Sequence, residues 1–220
     1  MLTVELPPRS LLERQGYVVL REWLDSSLCS RIADFLHKSQ CEVTVWTPRL
    51  LPTELSGLLV DGPITVLANW ACGAPACVLT VGPEIKGAMK CAETLWHQDR
   101  SYWGGECPRW SLWIAIDAVT PANGCLRVLP GSHHALRSDQ ASGYFDHRLT
   151  LTADEEARVV DIICGPGDVV CFHDLLIHAS HPNSSGAPRR RLKPTYRAQG
   201  GREAGVAQAR PPAGKCRDSQ

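Results

Sequence analysis

The stretch Leu95 to Trp103, L-W-H-Q-D-R-S-Y-W, places an imidazole and a carboxylate two residues apart, at His97 and Asp99, among aromatic residues. Such a pair is a common chance neighbour. It becomes a metal site only if further ligands arrive from elsewhere. A second histidine at a strand end would complete a two-histidine, one-carboxylate set. That set holds Fe(II) on one face and leaves three positions open for a substrate and O₂. His178 is the candidate, because it follows the strand-like run V-V-C-F-H and opens H-A-S-H-P-N-S-S-G-A-P-R. His173, which ends that run, and His181, in the turn that follows, compete for the same role. Arg189 lies eleven residues beyond His178. Its planar guanidinium can grip a carboxylate through two parallel bonds. An oxo-acid that chelates iron at one end needs such an anchor at the other. Arg190 and Arg191 stand beside it and leave the register open.

The elements that must position these groups are mostly short strands. Trp110, Leu112, Ile114 and Ile116 alternate with Ser111, Trp113, Ala115 and Asp117, the period of a strand. N-G at 123–124 and P-G at 130–131 bracket a strand in C-L-R-V-L. R-V-V-D-I-I-C (158–164) reads as another, and G-P-G-D turns the chain into Val169–His173. Residues 132–157 read as a long insertion loop, with P-G-S-H at 130–133 a structural turn. Ahead of the strands, Ser10–Gly16 reads as a short helix with a serine cap and a glycine stop, then Tyr17–Leu20 as a strand. Asp25, Ser26 and Ser27 can cap a second helix whose Leu28, Ile32, Phe35 and Leu36 share one face. From Val43 to Val81 the signals are mixed and no element is assigned. The pattern is mainly β with N-terminal helices, as in a sandwich or barrel. From about Ala198 the chain is rich in Gly, Ala, Arg and Pro without apolar periodicity, so residues 198–220 read as a disordered tail on one domain, 1–197.

The chain has 220 residues, 44% of them hydrophobic, with 23 Lys+Arg against 23 Asp+Glu. The balanced charge supplies no steering toward nucleic acid or an anionic membrane. No apolar run approaches the ~20 residues of a membrane helix, and M-L-T-V-E-L-P-P-R lacks the features of a signal peptide. The ten cysteines include no C-x-x-C pair. Cys125, Cys164 and Cys171 sit in apolar runs, where a thiol behaves as a small hydrophobe. This usage predicts a reduced, intracellular, cytoplasmic protein and not a disulfide framework.

In order, H-Q-D, W-I-A-I-D, N-G-C-L-R-V-L-P-G-S-H, G-D-V-V-C-F-H and H-A-S-H-P-N-S-S-G-A-P-R resemble the phytanoyl-CoA dioxygenase family, from about Leu11 to Tyr196. The resemblance implies a double-stranded β-helix, or jelly-roll, and an oxygenase that uses Fe(II), 2-oxoglutarate and O₂. It implies His97, Asp99 and His178 as iron ligands and Arg189 as the anchor of the 2-oxoglutarate C5 carboxylate. Ser180 matches a position that assists that anchor, Trp113 a tryptophan of the co-substrate pocket, and Gln98, the usual middle residue of the motif, is placed with them among the co-substrate-binding residues. Two departures stand out. A family lysine near the co-substrate is missing from V-L-T-V-G-P-E, with Lys86 the nearest replacement, and the N-terminal half is short. The reaction implied is hydroxylation of a small molecule with release of succinate and CO₂. Halogenating relatives lack the carboxylate that this chain keeps at Asp99. W-H-x-D-x-x-x-W is similar to the same stretch of ectoine hydroxylases, which points to a small polar substrate. The competing expectation is a metal-binding jelly-roll module without turnover.

Overall fold

The computed structural model describes residues 5–38, 46–50, 53–87, 93–103, 106–137 and 148–200. Helix α1 (Arg9–Gln15) leads into strand β1 (Tyr17–Leu20) and helix α2 (Ser26–Lys38). Helices α3 (Thr53–Leu59) and α4 (Pro63–Cys72) precede the long strand β2 (Ala76–Lys86). Strand β3 (Thr94–His97) runs into the short helix α5 (Arg100–Trp103), and β4 (Trp110–Ala115) and β5 (Leu126–Val128) follow. The rest comprises α6 (Ala153–Glu156), β6 (Val160–Ile162), β7 (Val169–His173), β8 (His178–Ser180) and β9 (Arg189–Ala198). The strands form two antiparallel sheets, ordered β1-β7-β4-β9-β2 and β3-β8-β5-β6.

The alternation in β4 sets the layers. Trp110, Leu112 and Ile114 join Val169, Cys171 and Leu192 in a core with Leu12, Leu36, Leu59 and Leu67 of the helices. Trp113 and Ala115 turn the other way. With Val170 and Phe172 they meet Leu126, Val128 and Ile162 of the smaller sheet. The larger sheet is therefore covered on both faces, and β4 and β7 are buried along their whole length. Helices, large sheet and small sheet form three layers, and the space between the sheets is where side chains of β3, β8 and β9 converge.

Several expected elements form with shifted ends. Helix α1 starts at Arg9 with Pro8, not Ser10, at the cap position; Gly16 stops it in the left-handed conformation, as expected. Proline's fixed φ suits the residue before a first helical turn. In α2, Asp25 Oδ1 accepts from the Leu28 amide at 2.8 Å and caps the helix. Ile32 and Leu36 are buried, and Leu28 and Phe35 pack at the rim of the same core. The unassigned stretch holds α3, α4 and β2. Its most apolar part, Leu55–Cys72, has a mean hydropathy of 1.2 but is broken into two helices at Asp61-Gly62-Pro63. Helix α4 is apolar on most sides, which erases the periodicity that would reveal it.

The 132–157 segment is not all loop. It contains α6, held by a reciprocal Thr152/Glu155 cap; its residues 138–147 lie outside the described residues. P-G-S-H is a turn that ties layers together. The Gly131 amide donates to Gln15 O at 2.9 Å, Ser132 Oγ accepts from the Ile177 amide at 2.9 Å, and His133 meets Glu13 O at 3.0 Å. The expected tail begins too early. Ala198 still belongs to β9 and pairs with Ala76, and the Gln199 amide donates to Pro75 O. A Gly/Ala/Arg composition does not prevent a strand whose neighbours supply the ladder. Residues 201–220 lie outside the described residues.

The turn between β6 and β7 packs closely against the chain after β1. Gly167 has φ +90°, and a Cβ there would lie 2.1 Å from Leu24 O. Gly167→Ala should therefore cost about 2–4 kcal/mol, while Gly186→Ala, with nothing within 4 Å, stays within about 0.5 kcal/mol. Urea denaturation of the two variants checks this; equal stabilities would refute the assigned constraint.

Candidate metal centre and anion pocket

Strand β3 ends at His97, and the chain turns at once so that Asp99 points back toward it. Strand β8 begins at His178, whose register partner is His97. The three side chains thus meet across one pair of antiparallel strands, with their ligand atoms all within 4.8 Å of one another. Each histidine is oriented in the same way. His97 Nδ1 bonds to Leu95 O at 2.8 Å and His178 Nδ1 to Leu176 O at 2.9 Å. A carbonyl accepts only from Nδ1–H, so the lone pair of each ring sits on Nε2. Both Nε2 atoms lie 3.6 Å from Asp99 Oδ1.

The other oxygen of Asp99 is engaged. Oδ2 accepts from Lys193 Nζ at 2.8 Å and from Ser111 Oγ at 3.2 Å. One carboxylate oxygen therefore faces the imidazoles, and the other is fixed by the sheet behind it. Burial alone would raise the Asp99 carboxyl, but Lys193, His178 and His97 outweigh it and hold the group well below the usual carboxylate range. Burial, aided by His97, pushes His178 down to about 3. An anionic carboxylate beside two imidazole nitrogens is the donor set that a divalent first-row ion accepts. These residues fit a metal.

Arg189 lies in the same cavity. The cavity has a volume of about 390 Å³ counting its open mouth, and its lining includes His97, His178, Trp113, Ser180, Arg189 and Lys193. Arg189 is 1% exposed, and its guanidinium carbon lies 5.3 Å from the Trp113 ring centroid. Strand periodicity removes Arg190 from the register that the sequence left open. Arg189, Arg191 and Lys193 line the cavity, whereas Arg190 turns to the other face and is held by both oxygens of Asp117. Ser180 Oγ accepts from Lys86 Nζ at 2.8 Å and donates to Thr94 Oγ1 at 2.9 Å. Lys86, nearly fully buried, thus reaches the back of the pocket.

Not every expected residue joins the site. Gln98 is fully buried with its amide committed elsewhere. Nε2 donates to Ala135 O and Leu175 O, and Oε1 accepts from the Arg137 amide. Gln98 is therefore not a co-substrate contact; it pins two loops behind the H-x-D turn. His173 stays out of the triad. It packs edge-on to Trp110, 4.8 Å between centroids, and accepts from the Leu175 amide. His181 points to the outer side of the small sheet and meets Asp161 at 2.9 Å; Cys125 lies close enough to join them. Tyr102 lies beside His97, and Trp96 stacks under Arg127, which is packing. The side chain of Trp103 lies outside the described residues.

Sequence reasoning held Arg191 only as a rival of Arg189 and missed three further participants. Lys193 was signalled by its i+4 spacing from Arg189. Glu84 and Ser111 had no local signal, because only the sheet order brings them in. A fourth, Arg100, sits within the quoted motif. It donates to both oxygens of the fully buried Asp174 and clamps the H-x-D turn to the β7–β8 turn.

Two antiparallel sheets around a His-Asp-His cluster, with a buried arginine lining the adjoining cavity, define the class of fold. The chain belongs to the phytanoyl-CoA dioxygenase (PhyH) family, whose model it matches over residues 66–191. It is 33% identical over 168 residues to the L-proline trans-4-hydroxylase of Streptomyces griseoviridis, covering 65% of this chain and 63% of that protein. It is 27% identical over 164 residues to the ectoine dioxygenase of Sphingopyxis alaskensis, covering 66% of this chain and 54% of that protein. The chain thus spans less than two thirds of the length of these curated relatives. Among solved structures, the epimerase SnoN in complex with Fe3+, alpha ketoglutarate and nogalamycin RO superposes with a TM-score of 0.75 at 19% identity, covering 86% of this chain and 82% of that one. EctD from S. alaskensis with 2-oxoglutarate and 5-hydroxyectoine gives 0.73 at 22%, covering 96% and 84%.

Burial, with nearby His133 and Arg100 adding to it, pushes His173 from its ordinary 6.5 down to about 4. The unfolded chain therefore takes up this proton first as the pH falls. The neutral ring's contribution is complete above pH 6.5 and is lost between 6.5 and 4. His173→Gln should shrink the acid-side fall in stability across that window by about 2–3 kcal/mol. Denaturation midpoints at a series of pH values test this, and an unchanged slope would refute it.

Proposed function

We propose that this chain is an Fe(II)- and 2-oxoglutarate-dependent dioxygenase that hydroxylates a small molecule. The observation that carries the reading is the cluster of His97, Asp99 and His178, whose two histidines line one cavity with the buried Arg189. His97 Nε2, Asp99 Oδ1 and His178 Nε2 would hold the metal, and Arg189 the C5 carboxylate of 2-oxoglutarate, with Trp113 against it and Ser180 beside it. When bound, the metal supplies O₂ activation coupled to decarboxylation of 2-oxoglutarate, giving succinate and CO₂. The protein's own residues orient the reactants. The Leu95 and Leu176 carbonyls fix the imidazoles, Lys193 and Ser111 fix the carboxylate, and the apolar faces of Trp113, Leu126 and Phe172 keep water away. The relatives named above, a proline and an ectoine enzyme among them, support a small polar substrate. The two antiparallel sheets support a double-stranded β-helix built as one domain that runs through Ala198, the end of β9. The free thiols of Cys29, Cys125, Cys164 and Cys171, all buried, support a reducing intracellular location.

The retained Asp99 bears on the outcome of the reaction. Three protein ligands and a bidentate co-substrate leave one position for O₂ and none for a halide. The expected product in chloride buffer is therefore hydroxylated, not chlorinated. Anaerobic protein with Fe(II) and 2-oxoglutarate should develop a visible charge-transfer band and, on admitting air, release succinate. Asp99→Ala should lose the band and the metal while keeping the fold. Arg189→Ala should keep metal binding but weaken 2-oxoglutarate by about 2–5 kcal/mol. Failure of the wild-type protein to bind either ligand would overturn the assignment.

A further inference from the structure

The anchor of the anion pocket already carries a carboxylate of the protein. Glu84 Oε2 accepts from Arg189 Nη2 at 2.8 Å and from Arg191 Nε at 2.8 Å. All three residues line the cavity that also contains His97 and His178. Burial works against a charged Glu84, but Arg191 and Arg189 outweigh it and hold the carboxyl down at about 2. Glu84 is therefore an anion at any working pH.

Geometry shows which arginine is its own partner. Strands β2 and β9 pair Glu84 directly with Arg191, and Lys86 with Arg189. Arg191 is thus the cross-strand neighbour of Glu84, and Arg189 is the diagonal one, two residues away along β9. Directly opposed side chains are close enough for a charged pair, whereas diagonal ones need a long reach. A guanidinium grips a carboxylate best with two parallel bonds, and both of its two-bond edges include Nη2. Glu84 holds that atom. A dicarboxylate arriving at Arg189 meets a like charge at the edge it needs.

We propose that Glu84 is a resident competitor for the co-substrate anchor: it occupies Arg189 in the ligand-free protein and retires to Arg191 when the distal carboxylate of 2-oxoglutarate binds. This rests on the reading of Arg189 given above. Glu84 then sets the concentration of co-substrate at which the pocket fills. Arg191, far from being a spare cation, is the group that makes the retreat possible without stranding a buried charge.

The test is calorimetric titration of 2-oxoglutarate into anaerobic, Mn(II)-loaded protein, which reads binding and not turnover. Glu84→Gln should tighten 2-oxoglutarate on the order of tenfold, about 1.4 kcal/mol. Glu84→Asp, whose shorter side chain reaches Arg191 but not the diagonal Arg189, should tighten it in the same direction. Arg191→Ala should weaken it in the wild-type background, by pushing Glu84 onto Arg189, and have a much smaller effect beside Glu84→Gln. Such non-additivity is the signature of coupled neighbours. If Glu84 instead orients Arg189, both glutamate variants bind more weakly, and the proposal is overturned while the anchor stands. Equal affinity of wild type and variants overturns it as well. If Mn(II) binds but 2-oxoglutarate binds to none of the proteins, the anchor assignment itself fails and this proposal falls with it.

Discussion

The pairing of charges in a space between two sheets constrains everything else in this molecule. Asp99 is 5% exposed and Arg189 1%, and neither can be left alone at that depth. Each has partners drawn from distant sequence. Asp99 on the β3 side meets Lys193 of β9 and Ser111 of β4, and Arg189 of β9 meets Glu84 of β2. The sheet order β4-β9-β2 is what makes these pairs possible. A different strand order would bury the same charges without partners, so the polar site and the topology specify each other.

The approach of β3 to β8 depends on the loops around them. Arg100 fastens the turn after Asp99 to Asp174, and the backbone follows, with the Arg100 amide donating to Asp174 O and the Asp174 amide to Arg109 O. Gln98 fastens the same turn on its other side to the segment after P-G-S-H. The donor atoms of His97 and Asp99 thus belong to a turn held from two directions. A site supported in this way needs little rearrangement to accept an ion.

Much of this was legible in the sequence where one residue's role is local. Strand period exposed β4 and β7, and the glycine stop exposed the end of α1. The spacing of motifs brought His97, Asp99, His178 and Arg189 forward; the structure clusters the first three and lines one cavity with both histidines and Arg189. The illegible parts are those decided by distant neighbours. Helix α4 buries Ile64, Leu67, Ala68 and Ala71 on one face, but the apolar Val66 on its exposed side blurs that period in the sequence. Gln98 was placed with the co-substrate by position in its motif, but its amide finds backbone partners at Ala135 and Leu175. Ala198 looked like the start of a tail because composition is blind to a partner at Ala76. Glu84 sits in V-G-P-E, a stretch with no chemical signature, and matters only because β2 lies beside β9.

Strand β9 shows how one element can tie the whole pocket together. Its inner face presents Arg189, Arg191 and Lys193 at intervals of two residues, each about 6.6 Å farther along the strand. Lys193 touches the carboxylate that faces the imidazoles, so it marks the metal end. Arg189 lies against Trp113 and marks the far end, about 13 Å of strand away. Arg191 stands between them. On the function proposed above, a ligand that chelates at one end and carries a carboxylate at the other would be measured against this spacing. The outer face of the same strand does different work. Arg190 closes on Asp117 and Leu192 enters the helix-side core. One ten-residue strand thus fixes the sheet with its even-numbered residues and lines the cavity with its odd-numbered ones. A shift of one residue in its pairing would exchange the two faces, which is why the packing of Leu192 and Tyr196 in the apolar core guards the site as surely as the charges do.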